Sequence, residues 1–456
     1  MKKNVLSVLV MVVFTVTTTY AQVDVASEQH SALGQVKSEN ENVKNQSNRH
    51  PDAQWFPKAG FGLFIHLGMS AVHGGIDLSW GMCANKPWLD GEITPEEYWA
   101  LADVWNPKRF NADKIVKTAK KAGFKYVVFT TKHHDGYTMW PSKYGDFGVK
   151  QKLGGRDLVR EFVDACRKND MKIGLYFSPP DWRYDAVYRN WDHSKKKILD
   201  VRHQPLKELP KKPEGHDEKR RELAANQVRE LLTEYGKIDI MWFDGGRGEI
   251  SNDEVRRLQP GIIINKRNGN GGDFGNTEGR LPKKRFVGWF ETNDPCWPSS
   301  WWGYSASNRM DTGAEVIEKL VTLRAWGGNF LANVGPKADG SIPEEALEAW
   351  KEIGKWMKHS GESVYDVTGG PYPEKANQPV TIKGENVMYV HAFPNCQHDI
   401  IVKEVLRKPM RALLLRTGED VPFSFENQTL TVKIPAMQRT GNGRYRKVDF
   451  GRYVIT

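Results

Sequence analysis

Carboxyl groups that could act as a nucleophile or as a general acid or base stand at three places in this 456-residue chain. Asp244 follows the apolar segment IDIMWF and precedes two glycines, which places the acid at the end of a strand. Hydrolysis of a glycoside needs two carboxyl groups, one on each side of the bond. Glu278, in the glycine-rich segment GGDFGNTEGR, and Glu291, in GWFETND, are the candidates for the second group. A loop would carry Glu278 over a leaving group, whereas Glu291 would end a strand in a pocket floor, and the residues alone do not choose between them.

Three histidines follow two further apolar segments. His66 ends FGLFIH, and His133 and His134 follow KYVVFTTK. Such imidazoles could bind a metal ion. Adjacent residues of a strand point to opposite faces, however, unless a bulge re-aims one of them. The sequence therefore favours neutral imidazoles that hydrogen-bond substrate hydroxyl groups, with a metal site as the alternative.

Seven short apolar segments end at a polar or ionisable residue, and they indicate how these groups are positioned. The segments are 61–66 (FGLFIH), 125–135 (KYVVFTTKHHD), 172–178 (KIGLYFS), 238–244 (IDIMWFD), 261–267 (GIIINKR), 286–291 (FVGWFE) and 328–333 (GNFLAN). Buried parallel strands are continuous apolar segments, and the catalytic groups of a (β/α)8 barrel lie where such strands end. The segments would bring to one mouth the side chains of His66, His133, His134, Tyr176, Asp244, Arg267 and Glu291.

Helical patterns alternate with these segments. They cover residues 94–102, 112–122, 155–168, 219–235, 312–326 and 343–358, and Thr94-Pro95-Glu96-Glu97 has the residue types of a helix N-terminus. The alternation predicts an α/β fold, with a (β/α)8-like barrel over residues 51–365 in which one strand is irregular or missing. An open doubly wound sheet is the alternative, but no GxGxxG follows a strand.

A different pattern follows Gly369-Gly370-Pro371. Short apolar segments at 380–382, 387–390, 400–402, 412–415, 430–434 and 453–455 alternate with turn residues. Such spacing is typical of antiparallel β structure. We expect a C-terminal antiparallel β-sandwich over residues 371–456.

The first residues have the composition of an export signal. Residues 1–21 contain two lysines, an apolar stretch and small residues before Gln22, which predicts a cleaved secretory signal peptide. Residues 22–50 are polar and lack aromatic side chains, which predicts a disordered lead-in. The protein would act in the periplasm or outside a bacterial cell, with its four cysteines as free buried thiols and no further segment long enough to span a membrane.

Charge and aromatic content indicate the class of partner. The chain has a net charge of +10, sixteen tryptophans and a basic insertion at about 184–219. Tryptophan faces suit the apolar faces of sugars. A sulfated or carboxylated glycan would be attracted to the basic surface, although a solvated lysine-rich face is the simpler interpretation. Nucleic acid is disfavoured because the sequence contains no recognition motif for it.

The stretch from Trp55 to about Tyr365 resembles glycoside hydrolase family 29, the α-L-fucosidases. FGLFIHLG is similar to the family's FGxFIHWG, and KYVVFTTKHHDGYTMWPS is similar to its KYxxLTxKHHDGFxxWxS. IMWFDGG, INKR, DFGNTE, WFET, WWGY and GGNFLANVGPKADGSIP follow in the family's order. The resemblance implies a catalytic barrel with a C-terminal β-sandwich, removal of terminal α-L-fucosyl residues from glycans with retention of configuration, and no metal or cofactor.

The resemblance also implies roles for individual residues. Asp244 would be the nucleophile and Glu278 the acid/base, with Glu291 as the second choice for that role. The residues implied to bind the sugar are His66, Trp80, His133, His134, Tyr176, Trp242, Arg267 and Glu291.

Two departures from the family pattern bear on the substrate. Ser79-Trp80-Gly81 stands where the family usually has Glu-Trp-Tyr, and Leu67 stands where Trp is usual. The missing glutamate would otherwise bind a sugar hydroxyl. A hydrolase of another α-L-sugar or of a substituted, for instance sulfated, fucoside is therefore one alternative. A carbohydrate-binding relative without catalysis, which Asp244 and Glu278 disfavour, and a metal-dependent hydrolase, which a chelator would inhibit, are the others.

Overall fold

The computed structural model describes residues 48–86, 92–269, 271–281, 288–296, 301–307, 309–393, 396 and 398–433. Its strands are β1 (Phe61–Ile65), β2 (Tyr126–Lys132), β3 (Lys172–Phe177), β4 (Ile198–Leu199), β5 (Pro205–Leu206), β6 (Ile240–Phe243), β7 (Ile263–Ile264), β8 (Phe274–Glu278), β9 (Trp289–Asp294), β10 (Asn329–Val334), β11 (Thr368–Gly369), β12 (Val380–Lys383), β13 (Val387–Val390), β14 (Ile400–Val402), β15 (Phe423–Glu426) and β16 (Thr429–Val432). The predicted signal peptide at 1–21 and most of the predicted lead-in lie outside the described residues.

Eight parallel strands form the central sheet, in the order β7-β6-β3-β2-β1-β10-β9-β8. Asn265, directly after β7, pairs in parallel with Phe274, the first residue of β8, so that the two edge strands meet. Every residue of β1, β2, β6 and β10 is buried, which is why these strands are continuous apolar segments. The predicted (β/α)8-like barrel is confirmed.

The strand that the sequence left unassigned is β8. Its sequence is FGNTE, and only Phe274 and Gly275 are buried, so that no apolar segment marks it. Glu278 is therefore the last residue of a strand, and the expectation that it lies on a glycine-rich loop is wrong. The expectation that Glu291 ends its strand is also wrong, because β9 continues to Asp294.

Helices lie between the strands and begin and end close to the predicted positions. The six predicted helices are observed as Pro95–Ala100, Ala112–Ala122, Leu158–Lys168, His216–Glu234, Gly313–Ala325 and Glu344–Ser360. Thr94 and Thr312 each form a capping box with a glutamate three residues later, which fixes two of these starts. The shorter helices Phe56–Ala59, Val149–Lys152 and Asn252–Leu258 were not predicted, because one or two turns carry no helical repeat.

The basic insertion lies at the carboxyl end of β3, on the mouth side of the barrel. It contains the antiparallel hairpin β4–β5 and leads into the helix His216–Glu234. The side chains of residues 195–197, all lysines, are exposed. Lys212 instead pairs with Asp217 at 2.6 Å and with Asp185 at 3.4 Å, so that only part of the insertion's positive charge is unpaired in the described structure.

Arg324 lies at the opposite end of the barrel and has no exposed surface. Its five N–H groups donate across 2.7–3.2 Å to the carbonyl oxygens of Pro57, Gly328, Val364 and Val367 and to the side-chain oxygen of Asn329. A buried cation without such partners would be strongly destabilising. Since Val364 and Val367 follow the last barrel helix, one side chain joins the barrel to the segment that leads into the C-terminal strands.

Two antiparallel sheets follow the barrel, in the orders β11-β12-β13 and β14-β16-β15. They share a hydrophobic core that includes Val380, Ile382, Met388, Ile400, Val402 and Leu430, and the predicted C-terminal antiparallel fold is confirmed. The strand predicted at 412–415 is wrong, because this segment contributes only the isolated bridge between Leu413 and Asp420. The strand predicted at 453–455 lies outside the described residues.

Two smaller predictions concern cysteines and membrane segments. The four cysteines are free thiols, as predicted, but only three of them are buried, since Cys396 is half-buried. Within the described ranges, no helix is both long enough and apolar enough to cross a membrane.

Candidate active site

Asp244 lies at the carboxyl end of β6, and both of its carboxyl oxygens are bonded. Its backbone N–H donates to the carbonyl oxygen of Phe177 at 3.0 Å, which aligns the ends of β3 and β6. Oδ2 accepts from the Tyr176 hydroxyl at 2.6 Å, and Oδ1 accepts from Arg267 at 2.7 Å. Burial alone would raise the pKa of the Asp244 carboxyl, but the neighbouring His134 and Arg267 side chains and the Tyr176 hydrogen bond hold this pKa well below its ordinary value. Asp244 is therefore a carboxylate at neutral pH, as a nucleophile must be.

Arg267 connects Asp244 to Glu278. One terminal nitrogen of the guanidinium donates to Asp244, and the other donates to Glu278. The guanidinium also lies over Trp242, 5.1 Å from the ring centroid. The Glu278 side chain is 45% exposed and that of Asp244 is 20% exposed, so Glu278 is the carboxyl group on the solvent side. Two carboxyl groups of different exposure thus lie on the two arms of one planar cation.

Glu291 lies below this pair and has no exposed surface. Its two oxygens accept from the Tyr126 hydroxyl at 2.5 Å and from the Trp242 indole N–H at 3.0 Å. Burial raises the pKa of the Glu291 carboxyl to about 7, although both hydrogen bonds oppose the shift. The structure therefore places Glu291 behind Trp242, where it positions the indole ring and does not face the mouth.

A bulge in β2 brings His133 and His134 to the same side of the barrel. The register of β2 against β3 shifts between Thr130 and Lys132, and the strand ends at Lys132. The two imidazole rings consequently lie 4.4 Å apart, and His134 Nε2 is 3.5 Å from Asp244 Oδ2. The geometric objection to adjacent histidines in one site does not apply here, because a bulge re-aims them.

Each pocket histidine is held by a polar side chain at its Nδ1 atom. The pairs are His66 with Asn333 at 2.7 Å, His134 with Ser178 at 2.5 Å, and His133 with Ser79. Burial lowers the pKa of His66 and of His134 to about 4, and it lowers the pKa of His133 well below its ordinary value. All three imidazoles are therefore neutral at neutral pH, and each presents its Nε2 atom as either a donor or an acceptor.

Aromatic rings line the same space. Tyr176 stacks on Trp242 with ring centroids 5.6 Å apart, and it stacks on His133 at 5.7 Å. Trp182 stacks on His134 at 4.8 Å. Flat apolar faces beside imidazoles and carboxylates suit a small, ring-shaped molecule with many hydroxyl groups.

His133, His134 and Asp244 also have the composition of a metal site, since one donor atom of each lies within 4.8 Å of the others. Arg267 already contacts Asp244 at 2.7 Å, however. A metal ion bound to the same carboxylate would be repelled by this guanidinium at short range. The charges of the site therefore favour the interpretation without a metal.

Comparison with known proteins identifies the family. A family profile described as alpha-L-fucosidase matches residues 26–362. The chain belongs to this family. Among curated relatives, the alpha-L-fucosidase of Dictyostelium discoideum is 27% identical over 357 residues, which are 70% of this chain and 73% of that protein. The tissue alpha-L-fucosidase of Mus musculus is 28% identical over 345 residues, 69% of this chain and 72% of that protein.

Solved structures of α-L-fucosidases share the whole fold. Alpha-L-fucosidase isoenzyme 1 from Paenibacillus thiaminolyticus superposes with a TM-score of 0.72 at 29% identity, covering 88% of this chain and 97% of that one. A GH29 alpha-L-fucosidase from Bacteroides thetaiotaomicron, solved as a trapped covalent intermediate with 2-fluoro-fucosyl fluoride, gives a TM-score of 0.70 at 28% identity, covering 89% and 97%.

In this member of the α-L-fucosidase family, Ser79, the residue for which the sequence resemblance implies a glutamate, is buried behind the pocket. The side chain has no exposed surface, and its Oγ accepts from the backbone N–H of Asp135 at 3.0 Å while contacting His133. Trp80, the next residue, is half-buried, and its ring lies edge-on to His134 at 5.9 Å. Trp80 therefore lies beside one pocket histidine, and Ser79 contacts the other histidine of the pair.

Sequence reasoning missed three residues of this site, Ser178, Trp302 and Asn333, and it named Ser79 only as a departure from the family pattern. Trp302 lies 5.3 Å from the His66 ring, and Asn333 bonds His66 and belongs to β10. Asn333 ends one of the seven apolar segments, so its position was a usable signal. The sequence around Ser178 does not indicate its contact with a buried histidine, because serine is common in loops.

Proposed function

We propose that this chain is a retaining exo-α-L-fucosidase, with Asp244 as the nucleophile and Glu278 as the general acid/base. The observation that carries the proposal is the placement of the two carboxyl groups on the two arms of Arg267, one at a buried strand end and the other nearly half exposed. The trapped covalent intermediate of the Bacteroides relative supports a double displacement in this family.

The reaction has two steps in this proposal. Asp244 attacks the anomeric carbon and forms an ester bond while protonated Glu278 gives its proton to the departing glycosidic oxygen. Glu278 then takes a proton from water, the water oxygen attacks the same carbon, and the bond to Asp244 breaks. Each step inverts the carbon, so the released sugar keeps the configuration of the substrate.

Glu278 suits the proton transfer better than Glu291. The acid/base must meet both a leaving group and water, and the Glu278 side chain is 45% exposed, whereas Glu291 has no exposed surface. A pKa of about 7 would suit a general acid, but both Glu291 oxygens are bonded to Tyr126 and Trp242.

The sugar lies against the neutral imidazoles and the aromatic rings in this proposal. The binding residues are His66, Trp80, His133, His134, Tyr176, Trp242 and Arg267. Glu291 acts indirectly, by fixing the Trp242 indole through the 3.0 Å hydrogen bond.

Hydrolysis of a panel of aryl α-L-glycosides tests the proposal. The α-L-fucoside should be the best substrate, and NMR of the first-formed product should show the α-anomer. Asp244→Ala should lose several orders of magnitude in kcat, and azide should restore part of it as the β-fucosyl azide. Asp366→Ala is the matched control, because this carboxylate is 59% exposed in a pair with Lys58 outside the site. A first-formed β-anomer, or a fully active Asp244→Ala enzyme, would contradict the assignment.

We also propose that the glycan is acidic. Arg189, in the basic insertion, lies 4.0 Å from the ring centroid of Trp182, which also stacks on His134. Within the described chain, its hydrogen bond is a weak one to Cys83 Sγ at 3.9 Å, and its Nε atom is buried without a partner. A sulfate or carboxylate near the sugar would satisfy this guanidinium.

Ionic strength separates an acidic glycan from a neutral one. The Debye length falls from about 10 Å at 0.1 M salt to about 3 Å at 1 M. KM for an anionic fucosyl oligosaccharide should therefore rise with salt, and KM for a neutral one should hardly change. Arg189→Gln should reduce this difference more than Lys195→Gln, which changes an exposed lysine. Equal salt responses of the two substrates would reject the acidic glycan.

Export is the last part of the proposal. Residues 1–21 have the pattern of a cleaved signal, and the barrel begins only after about residue 50. N-terminal sequencing of protein recovered from the periplasm or medium should begin at Gln22. Recovery of the full-length chain from the cytoplasm alone would contradict export.

A further inference from the structure

The contacts of the pocket histidines influence which ring nitrogen carries the hydrogen. A neutral imidazole has one N–H donor and one bare nitrogen that accepts. His66, His133 and His134 are buried, and burial holds their pKa values below neutrality. For His66 and His133, the partner at Nδ1 therefore decides what the ring offers at Nε2.

His66 carries its hydrogen on Nδ1. The Asn333 side-chain nitrogen donates to the carbonyl oxygens of Trp302 at 2.8 Å and of Pro295 at 3.4 Å. Because carbonyl oxygens only accept, this orientation of the amide is fixed, and its oxygen faces His66 Nδ1 at 2.7 Å. The amide oxygen accepts from Nδ1–H, so Nε2 of His66 is a bare acceptor.

His134 is contacted at both ring nitrogens. Its Nδ1 lies 2.5 Å from the Ser178 hydroxyl oxygen, which itself lies 2.9 Å from the carbonyl oxygen of Pro180, and its Nε2 lies 3.5 Å from Asp244 Oδ2. Donation from Ser178 to Pro180 favours hydrogen on Nδ1 of His134, whereas the Asp244 carboxylate favours hydrogen on Nε2. The two contacts oppose each other, so the recognition pattern below rests on His66 and His133.

His133 has the tautomer opposite to that of His66 because of Ser79. The Ser79 oxygen accepts from the backbone N–H of Asp135 at 3.0 Å, and its remaining contact within the described residues is His133 Nδ1. Ser79 has no exposed surface, so a hydroxyl hydrogen that did not point at Nδ1 would be buried without an acceptor. Donation from Ser79 to Nδ1 leaves the hydrogen of His133 on Nε2.

We propose that Ser79 is a positioning residue that sets His133 as a hydrogen-bond donor beside a histidine acceptor, His66. The sugar is then recognised by the direction of its hydrogen bonds: one hydroxyl oxygen accepts from His133, and another hydroxyl donates to His66. In a sugar epimer, a hydroxyl that is positioned to donate would meet the N–H of His133, or a hydroxyl oxygen that is positioned to accept would meet the bare nitrogen of His66. Neither contact is a hydrogen bond, so the epimer would bind less tightly. The identity of the sugar rests on the proposed function, but the tautomers do not.

Nitrogen NMR of the protein labelled with 15N in its histidine rings measures the tautomers directly. The wild-type chain should show His133 protonated at Nε2 and His66 protonated at Nδ1, with signals assigned from single His→Gln variants. Ser79→Ala should convert His133 to a mixture of tautomers, and Ser79→Thr, which keeps the hydroxyl, should restore Nε2–H. Ser178→Ala is the matched control, because it should change the signals of His134 and leave those of His133.

Monodeoxy substrates measure the effect on recognition. Ser79→Ala should lower kcat/KM for an aryl α-L-fucoside about tenfold, the size expected for one hydrogen bond. That loss should disappear for the single deoxy analogue that lacks the hydroxyl contacted by His133, and Ser178→Ala should identify a different hydroxyl. An equal loss on every analogue would indicate general damage and overturn the proposal.

The NMR result separates this inference from the proposed function. Nδ1-protonated His133 in the wild type, or a His133 signal unchanged in Ser79→Ala, would overturn the role of Ser79 even in an active fucosidase. Conversely, the chain could show these tautomers and have no activity on α-L-fucosides. That result would support the donor and acceptor pattern and contradict only the proposed identity of the sugar.

Discussion

The hydroxyl group of Tyr176 donates to Oδ2 of Asp244 across 2.6 Å. Tyr176 is the penultimate residue of β3, and Asp244 directly follows β6, the neighbouring strand. The contact therefore depends on the barrel and not on a flexible loop. In the proposed reaction Asp244 loses negative charge as it bonds to the anomeric carbon, so the strength of this hydrogen bond should affect the rate.

Tyr176→Phe removes this hydrogen bond and keeps the ring that stacks on Trp242. A hydrogen bond to a charged group contributes about 1.5–3 kcal/mol, so kcat/KM should fall by about 10- to 150-fold. Tyr126→Phe is the matched control, because Tyr126 also donates to a buried carboxylate, Glu291, but away from the mouth. It should lower the free energy of unfolding with a much smaller effect on kcat. Equal kinetic losses in the two variants would argue against a specific role for Tyr176.

Leaving-group dependence distinguishes Glu278 from Glu291. Glu278→Ala should slow fucosides with poor leaving groups most, because these need a proton in the first step, and should spare activated aryl fucosides in that step. Glu291→Gln should alter all substrates alike, since it acts through Trp242. If the leaving-group pattern appears in Glu291→Gln and not in Glu278→Ala, the acid/base assignment must be exchanged.

Arg267→Lys tests the double contact of the guanidinium. Lysine keeps the positive charge, but a single ammonium group does not reproduce the planar fork that contacts Asp244 and Glu278 together. We expect kcat/KM to fall at least tenfold in steady-state assays. A variant with wild-type kinetics would show that charge alone is sufficient at this position.

The pH dependence of the free energy of unfolding should reveal the raised pKa of Glu291. The folded-state pKa of Glu291, about 7, lies above the ordinary value of 4.5. The stability that protonated Glu291 contributes to the fold is therefore fully present below pH 4.5 and is lost as the pH rises through 7. The free energy of unfolding should decrease by on the order of 3 kcal/mol between these pH values. In denaturant titrations at pH 4.5 and 8, Glu291→Gln should lose less stability with rising pH than the wild type does. Parallel pH profiles of the two proteins would contradict the raised pKa.

Seven of the eight barrel strands could be predicted, because a strand buried on both faces is a continuous apolar segment. The eighth, β8, could not, since Asn276, Thr277 and Glu278 are partly or fully exposed and resemble a loop. Pairing with β9 and the bridge from Asn265 to Phe274 define it as a strand, and neither contact leaves an apolar pattern within β8 itself.

The site could be predicted at the level of residue types and strand ends, but not at the level of contacts. His66, Tyr176 and Asp244 lie close together at the barrel mouth, as their segments indicated. The shift in β2 that brings His133 and His134 together depends on pairing with β3, and the burial of Glu291 depends on how far β9 continues. Neither the pairing of β2 with β3 nor the length of β9 can be predicted from a few neighbouring residues of the sequence.

The contacts of Arg324 should make the barrel and the C-terminal sheets unfold together. Its five hydrogen bonds end on the barrel floor and on the carbonyl oxygens of Val364 and Val367, beyond the last barrel helix. A chain cut at residue 365 would lose the Val367 carbonyl and leave part of a buried guanidinium unsatisfied. The two units should therefore melt in a single calorimetric transition, and separating them should require replacing this arginine with an apolar side chain of similar size.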